Sequence, residues 1–321
     1  MHEFYKNVPV TVTGGTGFVG SHFAKALAEA GADVTVVRHK RDMPFDIEGV
    51  KFVEADLCDR EQACKALEGA RYVFHAAGAV SAAGTTTTNP TSAITENLVL
   101  TARTLEAAST AKVERCLIFS SGTTAYPLTD HPVTEDEMWG APPPDVYFGY
   151  GWMRRYLELL GQFTAQKGGV DIAICRPTAV YGRYDDFNLK TCHVVPALIN
   201  RAVAGDSPLE VWGTGDEMRD FLHITDLVRG CMLLLMKKAD CTPINIGYGS
   251  VVTIRDIAEI VMRAAGRSEA DIKFDPDKPT TIAKRLVNTD KARELLGFEP
   301  AVTLEEGLTD VVRWFKGVRG Q

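Results

Sequence analysis

Residues 8–20 read Val-Pro-Val-Thr-Val-Thr-Gly-Gly-Thr-Gly-Phe-Val-Gly. Val8, Val10 and Val12 alternate as the inward side of a strand does, and the run then breaks into glycines. The amphipathic stretch Ser21–Ala30 follows, so the segment predicts strand, glycine turn and helix in that order. Gly14, Gly17 and Gly20 meet three needs of such a unit. They allow a tight turn, close approach of backbone to a pyrophosphate, and close packing of helix on strand. The bound anion would then face the positive end of the helix dipole. A glycine triplet alone could be an ordinary turn, but strand, turn and helix in this order point to a dinucleotide. Thr16, Phe18 and Val19 of the same loop are candidate contacts to it.

Strand-like and helical patterns alternate through most of the first 180 residues. Strands are expected at Val8–Val12, Asp33–Val37, Val50–Val53, Arg71–His75, Cys116–Ser120 and Asp171–Cys175. Ala93–Ser109 and Tyr150–Lys167 are the clearest helices. This alternation implies βαβ crossovers and an α/β fold with a doubly wound parallel sheet of the Rossmann kind. After Arg176-Pro177 the pattern becomes irregular: a loop over 182–193, a helix over 194–204, a strand at Leu209–Trp212, and helices near 254–265, 290–296 and 304–316. Residues 1–176 are therefore expected to form the dinucleotide-binding domain, with 224–247 returning to it. Residues 177–223 and 248–321 would form a smaller C-terminal substrate-binding lobe.

The 321 residues are 45% apolar and 24% charged, ordinary for a globular protein, with a net charge of −7. Basic residues are scattered, which argues against a nucleic-acid surface. Seven cysteines are widely spaced without a CxxC pair, so neither a metal site nor a disulfide framework is expected. The first residues lack a signal-peptide apolar region, and no apolar run is long enough to span a bilayer. A cytoplasmic protein without membrane partners is the expectation. The Thr85–Thr88 run reads as a loop.

The second strand bears on the cofactor. NAD enzymes place an acidic residue at its end, against the adenosine 2′-hydroxyl. Here that position is Arg38, followed by His39, Lys40 and Arg41. Cations where a carboxylate would repel a phosphate favour NADP, with NAD still possible and a solvated basic loop the plainer alternative.

The glycine spacing, TGxxGxxG, together with these features resembles the extended short-chain dehydrogenase/reductase family, whose members rework nucleotide-activated sugars. The resemblance implies that Asp56-Leu57 brackets the adenine and that Ala76-Ala77 runs along the cofactor, with Thr178 a further contact. It also implies a catalytic Tyr-x-x-x-Lys. Spacing to Arg176-Pro177-Thr178 selects Tyr150 rather than Tyr147, and the lysine position holds Arg154. Arginine keeps the positive charge on the same helix face but is planar, so the replacement is not conservative. Glu158, a turn further on, also fits the family pattern. The family's carbonyl-binding hydroxyl, counted back from Tyr126, falls on Gly122, which has none; Thr123 and Thr124 are the substitutes, with Ser121 a third candidate.

Segments 190–199, 211–223, 244–247 and 273–279 resemble the GDP-L-fucose synthase branch of the family. By that resemblance Val194 and Leu198 line a nucleotide pocket, and Trp212, Arg219 and Arg285 contact base, ribose or diphosphate. His193 would act as an acid in C3/C5 epimerisation, although the partner cysteine position is Thr124. Cys192 is expected to be structural, and His223 and Asp226 to fix a loop and cap the next helix. The implied activity is NADP-linked reduction of a 4-keto GDP-sugar, with or without epimerisation. The alternatives are a nucleotide-sugar 4-epimerase, oxidase or dehydratase retaining NAD(P), and a non-catalytic dinucleotide-binding protein. The family resemblance further implies a homodimer built on the two long helices, through Leu98, Leu100 and Leu105 on the first and Trp152, Tyr156 and Leu159 on the second.

Overall fold

Residues 1–79, 91–278 and 280–320 are described by the computed structural model, and the Thr85–Thr88 run lies outside them. Seven parallel strands form the main sheet, in the spatial order Pro243–Ile246, Asp171–Pro177, Arg115–Phe119, Tyr72–His75, Pro9–Thr13, Asp33–Arg38 and Lys51–Glu54. Each expected strand of this sheet is present within two residues of its sequence reading. Strand order reverses between Pro9–Thr13 and Tyr72–His75, with Thr13 paired to His75. Connections leave this point in opposite directions, opening a crevice at the carboxyl ends of the strands.

Helices cover both faces. Phe18–Glu29 and Ile224–Lys237 pack on one side around Phe23, Leu27, Phe74, Leu117 and Leu227. Arg60–Ala66, Ser92–Thr110 and Phe148–Gly168 cover the other, around Val73, Ile118, Ile172 and Leu105. Leu105 is thus a core residue of this layer, not the surface residue expected at a dimer face.

The C-terminal helices Val194–Ala204, Ile254–Ala264 and Leu304–Arg319 enclose a second core of Val195, Leu198, Ile257, Val261, Leu308 and Val312. Thr253 with Asp256, and Thr303 with Glu306, form capping boxes that fix where the last two begin. Three two-stranded ladders complete this lobe: Ala179–Tyr181 with Phe221–His223, Leu209–Trp212 with Ile272–Asp275, and Met218–Arg219 with Val252–Thr253. Most of these strands are too short to show alternation in the sequence.

Candidate active site

The glycine loop sits at the crevice. Gly14 has a left-handed backbone (φ 61°), and a Cβ there would lie 2.5 Å from the Ala77 Cα. A Cβ on Gly20 would lie 2.2 Å from the Gly14 carbonyl oxygen, so only glycine lets the helix start this close to the turn. Gly17 is the N-cap of Phe18–Glu29 and supplies no side-chain acceptor, which leaves the helix start open to an anion. A dinucleotide pyrophosphate fits this cradle. Arg38 stands beside it, since the Gly15 N–H donates to the Val37 carbonyl at 3.3 Å. Its guanidinium is partly exposed and only loosely paired, 3.7 Å from Asp42 and 3.8 Å from Glu54; Arg41 is exposed. Asp56 accepts from the Cys58 N–H at 2.9 Å, whereas the Leu57 side chain is buried in the core.

Tyr150 lies in the first turn of Phe148–Gly168. Arg154 donates from Nη2 to the Tyr150 hydroxyl at 2.6 Å and from Nη1 to the Phe119 carbonyl at 3.1 Å, at the end of a central strand. Its Nε is buried without a partner among the described residues. The loop facing this helix is an internally bonded turn: Ser121 Oγ accepts from the N–H groups of Thr123 and Thr124 at 3.2 and 3.0 Å. Ser121 is thereby committed to the turn. Arg155 ties the same loop to the helix through the Ala125 carbonyl at 2.8 Å. The hydroxyl of Thr124 is enclosed and without a partner among the described residues, as is that of Ser120.

Beneath these groups runs a network that the sequence reading missed. His75 shares hydrogen bonds with Thr13 Oγ1 at 2.8 Å and Thr101 Oγ1 at 3.1 Å. Burial, with the Arg154 charge nearby, holds its pKa down at about 3, so the ring is neutral and joins the glycine-loop strand to helix Ser92–Thr110. The only signal in the sequence is a histidine in an otherwise apolar strand.

Glu158 and Arg176 form a forked pair, with Nε to Oε1 at 2.8 Å and Nη2 to Oε2 at 2.7 Å, both residues 1% exposed. Burial works against the Arg176 charge, but its bonds to Glu158 outweigh that and raise its pKa. Arg176 Nη1 also donates to the Tyr126 hydroxyl at 2.8 Å and the Glu135 carbonyl at 2.7 Å, fixing the far end of the loop that carries Thr123 and Thr124.

On the lobe side, Arg285 is buried and donates to the carbonyls of Pro127 and Tyr126 at 2.7 and 3.1 Å, so it is anchored to that same loop. Arg219 donates to the Met218 carbonyl at 2.7 Å and also to the Ile282 carbonyl. Burial and then the like charge of Arg219 lower the Arg285 pKa to about 10, and burial lowers that of Arg219. Neither guanidinium has a carboxylate partner among the described residues, and Tyr147 acts on both charges. Glu217 acts on Arg219 only through space, and two adjacent arginines without a direct carboxylate contact among the described residues suit an anion.

Val194 and Trp212 are 37% and 45% exposed and remain available to a ligand. Leu198 is not: at 3% exposure it belongs to the lobe core, because a turn further into the helix than Val194 it is covered by the other lobe helices. Thr178 gives its hydroxyl to Asp220 at 2.8 Å, and Asp220 also accepts from the Tyr248 and Gly249 N–H groups. Its hydroxyl is therefore spent on the scaffold. His193 is the N-cap of Val194–Ala204 but makes no side-chain cap, leaving its ring exposed even though nearby protein atoms lower its pKa. Asp226 holds the Ala301 and Val302 N–H groups, while His223 pairs with Thr225 at 2.8 Å.

Residues 10–247 match the family model described as the NAD dependent epimerase/dehydratase family. The "Probable GDP-L-fucose synthase 1" of Oryza sativa subsp. japonica is 30% identical, over 97% of this chain and 92% of its own. The dTDP-4-dehydro-6-deoxy-D-allose reductase of Streptomyces bikiniensis is 27% identical, over 96% of each chain. The structure of UDP-glucose 4-epimerase with UDP-glucose from Thermotoga maritima superposes with a TM-score of 0.86 at 27% identity, covering 97% of this chain and 100% of that one.

Proposed function

The chain belongs to the NAD dependent epimerase/dehydratase family, and from that premise we propose that it reduces the 4-keto group of a GDP-linked sugar with NADPH, with or without C3/C5 epimerisation. It is an NAD(P)-dependent enzyme of nucleotide sugars. The observation that carries proton transfer through Tyr150 is the 2.6 Å contact of Arg154 with its hydroxyl at the open end of the sheet.

The glycine loop with Thr16, Phe18 and Val19, together with Arg38, Arg41, Asp56 and the Ala76-Ala77 turn, would hold the dinucleotide on the unit formed by 1–176 and 224–247. When bound in reduced form it supplies a hydride to the sugar carbon. Tyr150 delivers the proton to the sugar oxygen, and Arg154 holds that phenol oxygen in place through its Nη2 contact. Thr123 or Thr124 donates its hydroxyl to the carbonyl; Thr124 Oγ1 has no partner among the described residues, though it must be uncovered to reach a ligand, whereas Thr123 is partly exposed. Arg219 and Arg285 face the diphosphate, Val194 and Trp212 flank the base, and His193 is the candidate acid if epimerisation occurs. The names of the three relatives carry three different bases, so GDP rests on the lobe segments and on the rice relative.

A second reading is a 4-epimerase, oxidase or dehydratase that retains NAD. The acidic neighbours of Arg38, Asp42 and Glu54, favour it, because they oppose a 2′-phosphate. Calorimetry with NADP and with GDP, followed by NADPH consumption on a 4-keto GDP-sugar, separates the two. Stoichiometric consumption, abolished in Tyr150→Phe, supports the first; tightly held NAD in the isolated protein supports the second. Binding of neither ligand ends the first, and an isolated protein that neither holds nor takes up NAD ends the second.

A further inference from the structure

We infer that Tyr184 is a positioning residue that couples the dinucleotide site to the C-terminal lobe. It lies in the loop between Ala179–Tyr181 and Val194–Ala204, and its backbone is left-handed, with φ 66°. A bulky aromatic residue in that region is an outlier that persists only where its surroundings over-determine it.

Three rings from three separate segments do so. Phe45 packs at 4.6 Å between centroids, Trp314 at 4.8 Å and His22 at 6.1 Å. His22 belongs to the glycine-loop helix and shares a hydrogen bond with the Phe18 carbonyl at 2.8 Å. Phe45 follows the basic run Arg38–Arg41 and packs edge-on against His22 at 5.9 Å. The segment that would meet the adenosine end of the cofactor thus folds back over the helix that would meet its pyrophosphate, and Tyr184 closes the triangle.

On the other side, Trp314 continues to Phe187 at 5.8 Å, and Phe187 stacks on Phe315 at 4.2 Å. Trp314 and Phe315 sit on Leu304–Arg319, whose Leu308, Val311 and Val312 are lobe core. Arg183, beside Tyr184, forks onto Asp310 of the same helix, with Nε to Oδ2 at 2.8 Å. A ligand that orders residues 38–45 on the glycine-loop helix therefore fixes two of the three rings that hold Tyr184. Tyr184 in turn holds the last helix and the loop that ends at His193 and Val194. Linkage makes the effect reciprocal.

Hydrogen exchange reads this with the dinucleotide alone, so it does not depend on the nucleotide-sugar reading, which a separate GDP titration tests. With NADP, or NAD where that binds more tightly, exchange in residues 182–193 and 304–319 should slow by about fivefold or more. Tyr184→Gly accepts the left-handed backbone without strain and removes only the ring. It should keep dinucleotide affinity within about threefold while cutting the remote protection to under about twofold, and Tyr184→Phe should retain that protection. Should Tyr184→Gly fail to fold, Phe45→Leu removes the ring from the surface segment and should give the same loss. No remote protection in the unaltered protein, or protection unchanged in the ring-deleted variants, overturns the inference. Where GDP also binds, dinucleotide and GDP should each strengthen the other's binding by about fivefold in the unaltered protein but not in Tyr184→Gly.

Discussion

Replacing Glu158 by glutamine tests the frame behind the catalytic loop most directly. The change keeps size and shape but removes the charge facing Arg176, and it turns an amide N–H₂ toward a guanidinium that has only donors to offer. Two forked contacts at 2.8 and 2.7 Å are affected, between residues that are each 1% exposed. Removing one partner of such a buried pair leaves the other charge uncompensated, at a cost of about 3–5 kcal/mol. That is a large fraction of a typical domain stability of about 5–15 kcal/mol. With a urea dependence of about 3 kcal/mol per molar, the unfolding midpoint should fall by about 1 M or more. Urea titration followed by circular dichroism measures this. A midpoint lowered by less than about 0.3 M would refute the reasoning, because the pair would then contribute no more than an exposed one. The loop anchored by the Arg176 contacts to Tyr126 and Glu135 should also loosen, which proteolysis within 121–141 would register.

Burial raises the Asp185 carboxyl to about 7, with its Oδ2 enclosed and without a partner among the described residues. The unfolded chain releases this proton first, so Asp185 costs stability progressively as pH rises from about 4 toward 7. Asp185→Asn should therefore raise the melting temperature at pH 8 and leave it unchanged near pH 4; equal shifts at both would disprove the assignment. Arg38→Asp should weaken NADPH binding about tenfold or more and spare NADH, whereas equal affinities for the two in the unaltered protein would make the basic loop a mere solvated surface. We also propose a homodimer through helix Phe148–Gly168, where Phe148, Trp152, Tyr156, Leu159 and Phe163 form one stripe of residues each at least 40% exposed. Light scattering should give about 70 kDa, twice the 35.0 kDa chain, by isologous pairing. Tyr156→Glu should halve that mass, and a stable monomer of the unaltered protein at micromolar concentration would end the idea.

The first 180 residues were legible because each element there has its own period: alternating valines, a glycine break, then a helical face. The Tyr150–Arg154 pair followed from the family resemblance, with helical spacing putting both side chains on one face. Residues whose fate depends on what packs against them were not legible. Leu198 and Leu105 look like surface candidates by position but fall on the inward side of their helices. Thr178 could not be seen to give its hydroxyl to Asp220, because the two meet only through the ladder Ala179–Tyr181 with Phe221–His223. His75, Thr13 and Thr101 are separated by 26 or more residues and become one network only when strands and helix are assembled.

Gly122 bears on which hydroxyls the site can offer. Its N–H donates to the Pro177 carbonyl at 2.9 Å, and a Cβ at this position would lie 2.8 Å from that oxygen and 3.1 Å from the Arg176 oxygen. The strand end it faces cannot easily yield, because Arg176 is clamped by Glu158, Tyr126 and Glu135. A serine at 122 would therefore press on the Pro177 and Arg176 carbonyls unless the buried clamp moved with it. The backbone packing behind the turn, and not only the residue type, is what moves the available hydroxyls on to 123 and 124.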